Sequence, residues 1–290
     1  MSEHPRISAC VITLNEADRI DACLASLSFC DELVVVDSGS TDSTREIAKK
    51  RGARVIEHEF EGFRAQKDFA VGQARHDWVL CLDADERVTA GLRASIEAAR
   101  DAGFAEAAGY RFARATEYFG AFLRHGNAYP DRVLRLFDRR RGGWRAGREI
   151  HEHAVVDGGV RVLVGDLEHH AYRSLDDQLA RYRRYAAMMA NHMWAHGRRA
   201  RLHNLVLNPF WRFLRGFVLR AGFLDGWRGF LFACMEADYV REKFARLWLL
   251  QHPSSGERVA GDASRWQNDG SRRAGHGATG DAAPDPARHP

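Results

Sequence analysis

Residues 33–42 read Leu33-Val34-Val35-Val36-Asp37-Ser38-Gly39-Ser40-Thr41-Asp42, an apolar run that changes abruptly into a polar loop. A continuous run rich in β-branched residues is typical of a strand buried on both faces of a parallel sheet. The Ser, Thr and Asp residues that come next are good helix caps, and they predict a helix that runs to about Arg51. The stretch therefore predicts one strand–loop–helix unit of an α/β protein.

The same alternation extends to both sides of this unit. Strands are predicted at Ile7–Leu14, at Val55-Ile56 and at Trp78–Leu82, and helices after Asn15, a good N-cap, and near residues 64–75. This order predicts an open, mostly parallel, doubly wound sheet. In such a sheet the binding site lies at the carboxyl ends of the strands.

The rest of the chain has a different pattern. Two short strands are expected at Tyr110–Ala113 and Val133–Phe137. Helices are expected at about residues 175–196, 204–222 and 225–250. The α/β fold is thus predicted to carry a helical C-terminal extension.

These patterns divide the chain into three regions. Residues 1–170 form an α/β domain that carries the site, and residues 171–252 form a helical, basic region. Residues 253–290 hold four of the seven prolines, and we expect them to be a disordered tail.

Composition excludes several classes of protein. The 290 residues are 45% hydrophobic and 28% charged, which excludes collagen, a wholly disordered chain and a disulfide-dense mini-protein. The five widely spaced cysteines fit reduced thiols, and the N-terminus MSEHPRIS lacks the apolar core of a signal peptide. A cytoplasmic protein is therefore expected.

Charge is distributed unevenly along the chain. Residues 1–100 carry 13 basic and 18 acidic side chains, whereas residues 181–220 carry nine arginines and no acid. The acidic part suits a metal site, and the basic part suits phosphate, nucleic acid or an anionic membrane.

Acidic residues also come directly after the fourth predicted strand, in Asp83-Ala84-Asp85-Glu86. The alternate carboxylates of Asp83 and Asp85 are expected to project toward one space as an uncompensated negative pair. Mg²⁺ or Mn²⁺ prefers such oxygen ligands and keeps positions open for substrate phosphates. The alternatives are a turn for this pair and, for Asp37, a helix cap. Because Thr41 or Asp42 suits the cap better, we expect Asp37 to point into the crevice.

In this order and spacing, the motifs resemble family 2 glycosyltransferases of the GT-A fold. They are Asn15-Glu16, Val34–Thr44, Gln66-Lys67 and Trp78–Glu86. The branch of lipopolysaccharide-core β-1,4-glucosyltransferases of the WaaE type is similar in further segments, namely Tyr129–Phe137, Ile150-His151-Glu152 and Gly222–Gly226. The resemblance covers residues 5–250.

The resemblance implies roles for individual residues. Thr13, Asn15, Glu16 and Asp37 would contact the nucleoside of a UDP-sugar. Asp83 would bind ribose and, with Asp85, the metal-bridged diphosphate, and Lys67 would reach a phosphate. The implied reaction inverts the sugar's anomeric carbon, with a general base that deprotonates the acceptor hydroxyl and a divalent metal that stabilises the leaving diphosphate.

The general base has two candidates, both downstream of the acidic motif. Asp131 precedes Arg135-Leu136-Phe137, a pattern similar to related enzymes, and Glu152 lies in the His151-Glu152 pair of this branch. Asp131 is slightly favoured, and an ion pair with the arginines of 132–148 is the alternative for either. His151 and Arg135 are candidate contacts of the acceptor or a phosphate.

The other histidines do not form a zinc motif. His151-x-His153, His169-His170 and the pair His192/His196 lack His-Glu-x-x-His or Cys-x-x-Cys partners. We interpret them as scattered surface or core residues.

A basic, aromatic stretch suggests contact with a membrane. Phe210, Phe213, Leu214, Phe217, Ala221 and Leu224 recur at helical spacing opposite Arg212, Arg215 and Arg220. These arginines exclude a transmembrane span. An interfacial helix on an anionic membrane is favoured over a helix packed on the domain, and it would place the protein at the cytoplasmic face of the inner membrane.

Three other classes fit less well. A haloacid-dehalogenase-like phosphatase carries Asp-x-Asp after its first strand, and a dinucleotide-binding enzyme needs Gly-x-Gly-x-x-Gly there. A basic nucleic-acid-binding protein would not place acids at three strand ends.

The expected acceptor is a lipopolysaccharide-core glycolipid, and the alternative is a polyprenyl-phosphate or capsule/exopolysaccharide intermediate.

Overall fold

The structure, a computed structural model, describes residues 4–148 and 151–252. The strands are β1 (Ile7–Thr13), β2 (Glu32–Asp37), β3 (Arg54–Glu57), β4 (Trp78–Asp83), β5 (Glu86–Val88), β6 (Gly109–Thr116), β7 (Asp131–Asp138), β8 (Gly142–Arg148), β9 (His151–Val156) and β10 (Val160–His169). The helices are α1 (Ile20–Ser26), α2 (Thr44–Lys50), α3 (Phe63–Gly72), α4 (Ala90–Asp101), α5 (Leu175–Ala195), α6 (Leu202–Phe213) and α7 (Gly226–Gln251).

Eight of the strands form one sheet, in the order β3-β2-β1-β4-β7-β6-β10-β5. The first four are parallel, as predicted, and Thr13 pairs with Asp37 while Ile12 pairs with Asp83. This register brings the polar ends of β1, β2 and β4 to one edge. The predicted α/β fold and the helical extension after it are confirmed.

Both faces of the parallel part are buried, as its β-branched runs predict. Val11 and Val35 pack in a core with α1, α2 and α4, whereas Val34 and Val36 pack in a second core with α3. Burial on both faces explains why these strands read as continuous apolar runs.

The second half of the sheet is mixed, and of its strands only β6 and β7 were predicted from the sequence. β7 is antiparallel to β4 and β6, β10 is parallel to β6, and β5 is antiparallel to β10. β5 is only three residues long, and β8, which pairs with β9 in a separate two-stranded sheet, lies in an Arg- and Gly-rich segment. Neither a three-residue strand nor an Arg- and Gly-rich segment has the apolar pattern that predicts a buried strand.

Two local predictions are wrong. Asn15 is not a helix cap: α1 begins at Ile20, and Asn15 has a positive φ of 54°. The helix expected over residues 204–222 is α-helical only to Phe213 and continues as a π-helical turn to Leu219.

Close glycine contacts allow the chain to reverse direction after this turn. A 3₁₀ turn at Gly222–Asp225 leads into α7, and a Cβ on Gly229 would lie 1.9 Å from the carbonyl oxygen of Gly222. The backbone can turn back on itself here because no side chain stands between the two segments.

No helix within residues 4–148 and 151–252 has the length and apolar character that crossing a bilayer requires. The expected tail at 253–290 lies outside the described residues.

Candidate active site

The carboxylate of Asp83, at the end of β4, is held between two cations. Lys67 of α3 lies 3.0 Å from Oδ1, and Arg135 of β7 donates from Nη2 to Oδ2 at 2.8 Å. Burial acts to raise the pKa of Asp83, but the charges of Lys67 and Arg135 outweigh it and hold the pKa well below its usual range. The expected uncompensated pair of aspartates is therefore wrong for Asp83.

One aromatic ring supports both cations. Trp144 of β8 is buried, with Lys67 Nζ 4.7 Å and the Arg135 guanidinium carbon 5.4 Å from its ring centroid. The attraction of a cation to an aromatic face is strongest where water is excluded. Trp144 therefore fixes both partners of Asp83 in place.

Glu86 completes this network, although the sequence analysis gave it no role. It is fully buried, and it accepts hydrogen bonds from Arg135 Nη2 at 2.8 Å, Arg114 Nη1 at 3.1 Å and the backbone N–H of Asp83 at 3.0 Å. Its place directly after the Asp-x-Asp pair was the available signal.

Arg135 differs from its predicted role. Its guanidinium is buried against Asp83 and Glu86, so contact with an acceptor or a phosphate would require it to leave both carboxylates. In this structure Arg135 holds Asp83 and Glu86, and a contact with the acceptor or a phosphate stays a prediction.

Asp85 has a different environment from Asp83. Its side chain is 11% exposed, and its Oδ2 atom lies 3.8 Å from Arg19 Nη1 and 3.7 Å from His169 Nε2. Burial, together with the negative charge of Asp83, raises the pKa of Asp85. Asp85 is thus the carboxylate of the pair whose charge is poorly balanced.

His169, at the end of β10, is largely buried, in agreement with the predicted placement of the histidines at the surface or in the core. Burial, followed by the charge of Arg114, lowers its pKa to about 3, so the ring is neutral at physiological pH. Its Nδ1 atom is buried and has no hydrogen-bond partner within the described part of the chain. Only the fold shows that His169 lies beside Asp85, because 84 positions of sequence separate the two residues.

A divalent metal fits Asp85 and His169. Within residues 4–148 and 151–252, no three Asp, Glu, His or Cys side chains gather into a complete metal centre. Mg²⁺, however, is commonly held by one or two carboxylates and completed by substrate phosphates. A neutral imidazole and a poorly balanced carboxylate are suitable ligands. Asp83 does not fit as a ligand while Lys67 and Arg135 contact it.

Of the two candidate bases, only Asp131 has its side chain in the described part of the structure. Asp131 begins β7, is 44% exposed, and accepts hydrogen bonds at Oδ2 from Arg114 Nη2 and Nε at 2.6 and 3.0 Å. An ion pair was the alternative interpretation for Asp131, and it is present, although with Arg114 and not with an arginine of 132–148. Glu152 and His151 begin β9, and their side chains lie outside the described part of the structure.

The loops after β1 and β2 hold each other. Asp37 is fully buried and accepts hydrogen bonds from the N–H groups of Gly39 and Ser40, at 3.1 and 2.8 Å. Asn15 donates its N–H to Ser40 Oγ and accepts from the N–H of Thr41, both at 2.8 Å. The expectation that Asp37 points freely into the crevice is wrong, because its own loop occupies the carboxylate. A contact with the nucleoside stays a prediction.

Thr13 and Glu16 lie at the same edge. Thr13 Oγ1 is buried and has no hydrogen-bond partner among the residues described, and a contact between Thr13 and the nucleoside stays a prediction. Arg173, just before α5, donates from Nη2 to Glu16 at 2.7 Å and to Asp18 at 2.8 Å. Burial raises the pKa of Glu16, and Arg173 opposes this increase. The start of the helical region thus contacts the predicted nucleoside loop.

Sequence comparison defines the class of this protein. The profile described as "Glycosyl transferase family 2" matches residues 8–155, which include β1 to β4 and both aspartates of the acidic motif. The chain therefore belongs to glycosyl transferase family 2, and the predicted GT-A resemblance is confirmed.

A relative and two solved structures can be placed beside it. The chain is 30% identical over 255 residues to the lipopolysaccharide core biosynthesis glycosyltransferase LpsC of Rhizobium meliloti, an alignment that covers 82% of this chain and 93% of LpsC. The mannosyltransferase PcManGT of Pyrobaculum calidifontis, solved with GDP-Man and Mn²⁺, is 16% identical, with a TM-score of 0.49, 85% of this chain and 88% of that chain covered. TarS 1-349 of S. aureus, solved with UDP, is 18% identical, with a TM-score of 0.40, 64% and 66% covered. The similarity to LpsC confirms the predicted resemblance to glycosyltransferases of lipopolysaccharide-core type.

Proposed function

We propose that this glycosyltransferase moves a hexose, with glucose as the first choice, from a UDP-sugar to a lipopolysaccharide-core or related glycolipid acceptor, with inversion and with a divalent metal. The observation that supports this proposal best is the difference between the surroundings of the two aspartates that follow β4. Asp83 is ionised between Lys67 and Arg135, whereas Asp85 lies beside the neutral ring of His169.

Different side chains of the site bind different parts of the donor. Asp83, fixed by Lys67 and Arg135, presents an ionised carboxylate to the ribose hydroxyls, and Lys67 adds positive charge beside the diphosphate. Thr13 and the loop that contains Asp37 hold the base and the ribose. A metal held by Asp85 and His169 would neutralise the charge that develops on the leaving diphosphate.

The acceptor is inferred from the relative. LpsC is named for lipopolysaccharide core biosynthesis, and the alignment spans most of both chains. A polyprenyl-phosphate or capsule/exopolysaccharide intermediate is the alternative within the same reaction. The location at the cytoplasmic face of the inner membrane stays a prediction.

Titration calorimetry of the purified full chain against UDP- and GDP-sugars, with and without Mn²⁺, tests the donor. We expect one UDP-hexose to bind only when the cation is present, and the transfer product to show the inverted anomeric configuration by NMR. If the protein binds no nucleotide sugar but binds DNA in a salt-sensitive manner, the alternative hypothesis of a basic nucleic-acid-binding protein is correct.

The general base can be assigned with two isosteric variants. Asp131→Asn is expected to lower turnover by roughly 10²–10⁴-fold, the usual contribution of a positioned base, and to leave donor affinity unchanged. Steady-state kinetics with saturating donor measure the effect, and Glu106→Gln, a change at an exposed ion pair with Arg161, is the matched control. If Glu152→Gln shows this loss and Asp131→Asn does not, Glu152 is the base.

A further inference from the structure

Exposed apolar side chains are concentrated in one part of the helical region. Eleven large ones between Leu202 and Phe230 are 47–67% exposed. They are Leu202, Val206, Leu207, Phe210, Trp211, Val218, Leu219, Phe223, Leu224, Trp227 and Phe230, and we call this set the apolar tip. About half of the exposed large apolar side chains in residues 4–148 and 151–252 belong to it. Patches of this kind mark interaction sites.

The apolar tip shares only Phe210 and Leu224 with the helix face that the sequence predicted. Phe213 and Phe217 are half-buried, and their ring centroids lie 5.8 and 5.4 Å from that of Phe230. These rings join the π-helical turn to the start of α7 and form the inside of the hairpin. Within the π-helical turn the chain exposes Val218 and Leu219, which the predicted face did not include, because this wider turn rotates side chains relative to a regular α-helix.

The exposed charges around the apolar tip are basic, because Asp225, the one acid between Leu202 and Phe230, is only 12% exposed and lies against His125. Residues 202–224 contain no acid, and the exposed Arg215 and Arg220 have no ionic partner within the described part of the chain. Arg212, which the sequence placed on the same basic face, is instead paired with Glu236 at 2.5 Å. Exposed Trp and Phe beside unpaired arginines match the headgroup region of an anionic bilayer, where apolar rings and cations are both stabilised.

The apolar tip is fixed to the loop that leads into β7. Asp225 accepts hydrogen bonds from the N–H groups of Arg124 and His125, at 3.1 and 2.9 Å. Asn127, in the same loop, donates to Glu236 of α7 at 2.8 Å. This loop leads directly into β7, which begins at Asp131. A surface bound by the tip therefore has a defined position relative to the candidate base.

We propose that the apolar tip inserts into the headgroup region of an anionic membrane, with Phe210, Trp211, Phe223 and Trp227 as anchors and Arg215 and Arg220 as contacts to anionic lipid. Membrane binding itself rests on exposure and charge alone. Delivery of a bilayer-borne acceptor to Asp131 rests in addition on the proposed function.

Vesicle flotation of the full chain tests the proposal. We expect the protein to float with vesicles of phosphatidylcholine and phosphatidylglycerol, and much less with phosphatidylcholine alone. Trp211→Ser combined with Trp227→Ser is expected to lower binding to both vesicles at least tenfold. Arg215→Glu combined with Arg220→Glu is expected to remove the preference for the anionic vesicle.

Val164→Ser is the matched control, because Val164 is an 82% exposed apolar side chain of β10 outside the tip. It is expected to leave flotation unchanged. UDP-sugar binding by each variant, measured without lipid, is expected to equal that of the unmodified protein, so failure at the membrane and failure of the proposed donor are separable.

Two results would overturn the proposal. One is flotation that the Trp and Arg variants do not change. The other is no flotation together with a dimer in light scattering that the Trp variants dissociate, which would make the tip an interface between two copies of the chain.

Discussion

Asp85→Asn is expected to lower the metal-dependent transfer rate by about 10³-fold or more. A metal at a reacting oxygen contributes several kcal/mol, and each 1.36 kcal/mol corresponds to a factor of ten in rate. The asparagine keeps the size of the side chain but loses the charge that faces His169. Initial rates over a range of Mn²⁺ concentrations measure the effect, with the apparent metal affinity as a second readout.

The fold is expected to survive this change. The pKa of Asp85 is raised in the folded protein, so its ionised form is disfavoured there relative to the unfolded chain. Removal of that charge at neutral pH is therefore neutral or stabilising, and the melting temperature should not fall. Asp77→Asn, at an exposed aspartate just before β4, is the matched control. Full activity of Asp85→Asn with unchanged Mn²⁺ dependence would refute the assignment of Asp85 to the metal.

Arg135→Met is expected to lower the free energy of unfolding by about 3–5 kcal/mol, the usual result of removing one partner of a buried ion pair. It leaves Asp83 and the fully buried Glu86 without their shared cation. Chemical denaturation at pH 7 measures the loss, and Arg132→Met, at an exposed position of the same strand, is the control. A loss below about 1 kcal/mol would show that Lys67 and Arg114 suffice to hold both carboxylates.

The pH dependence of stability depends on the same network. The pKa of Asp83 is lowered in the folded state, so its contribution is complete above the pKa of the unfolded chain and is lost as the pH falls toward the folded-state value. Arg135→Met should therefore lose part of its deficit relative to the unmodified protein as the solution is acidified.

The sequence predicted the strands that are buried on both faces and the helices that have a regular apolar spacing. The β-branched runs at β1, β2 and β4 identify strands because both of their faces are covered, and the acids after β4 mark the edge where the strands end. The helices near residues 64–75, 175–196 and 225–250 have apolar spacing that tertiary structure does not interrupt.

The missed features depend on distant parts of the chain. Nothing near His169 shows that it reaches Asp85, and nothing near Asp83 shows that Lys67 and Arg135 neutralise it. The face of α6 was assigned from a regular helical period, and a π-helical turn changes that period. Pairing between strands, close glycine contacts and ion pairs over long sequence distances are decided only when the chain is folded.

The contacts of Arg173 restrict how this protein can be re-engineered. The guanidinium binds Glu16 and Asp18 across more than 150 positions of sequence, so the helical region and the loop after β1 are not interchangeable modules. A chimera that takes residues 171–252 from a relative to change acceptor choice would also replace Arg173 and its contacts with Glu16 and Asp18. The splice junction should therefore come after Arg173, so that donor recognition is inherited intact while only the distal helices are exchanged.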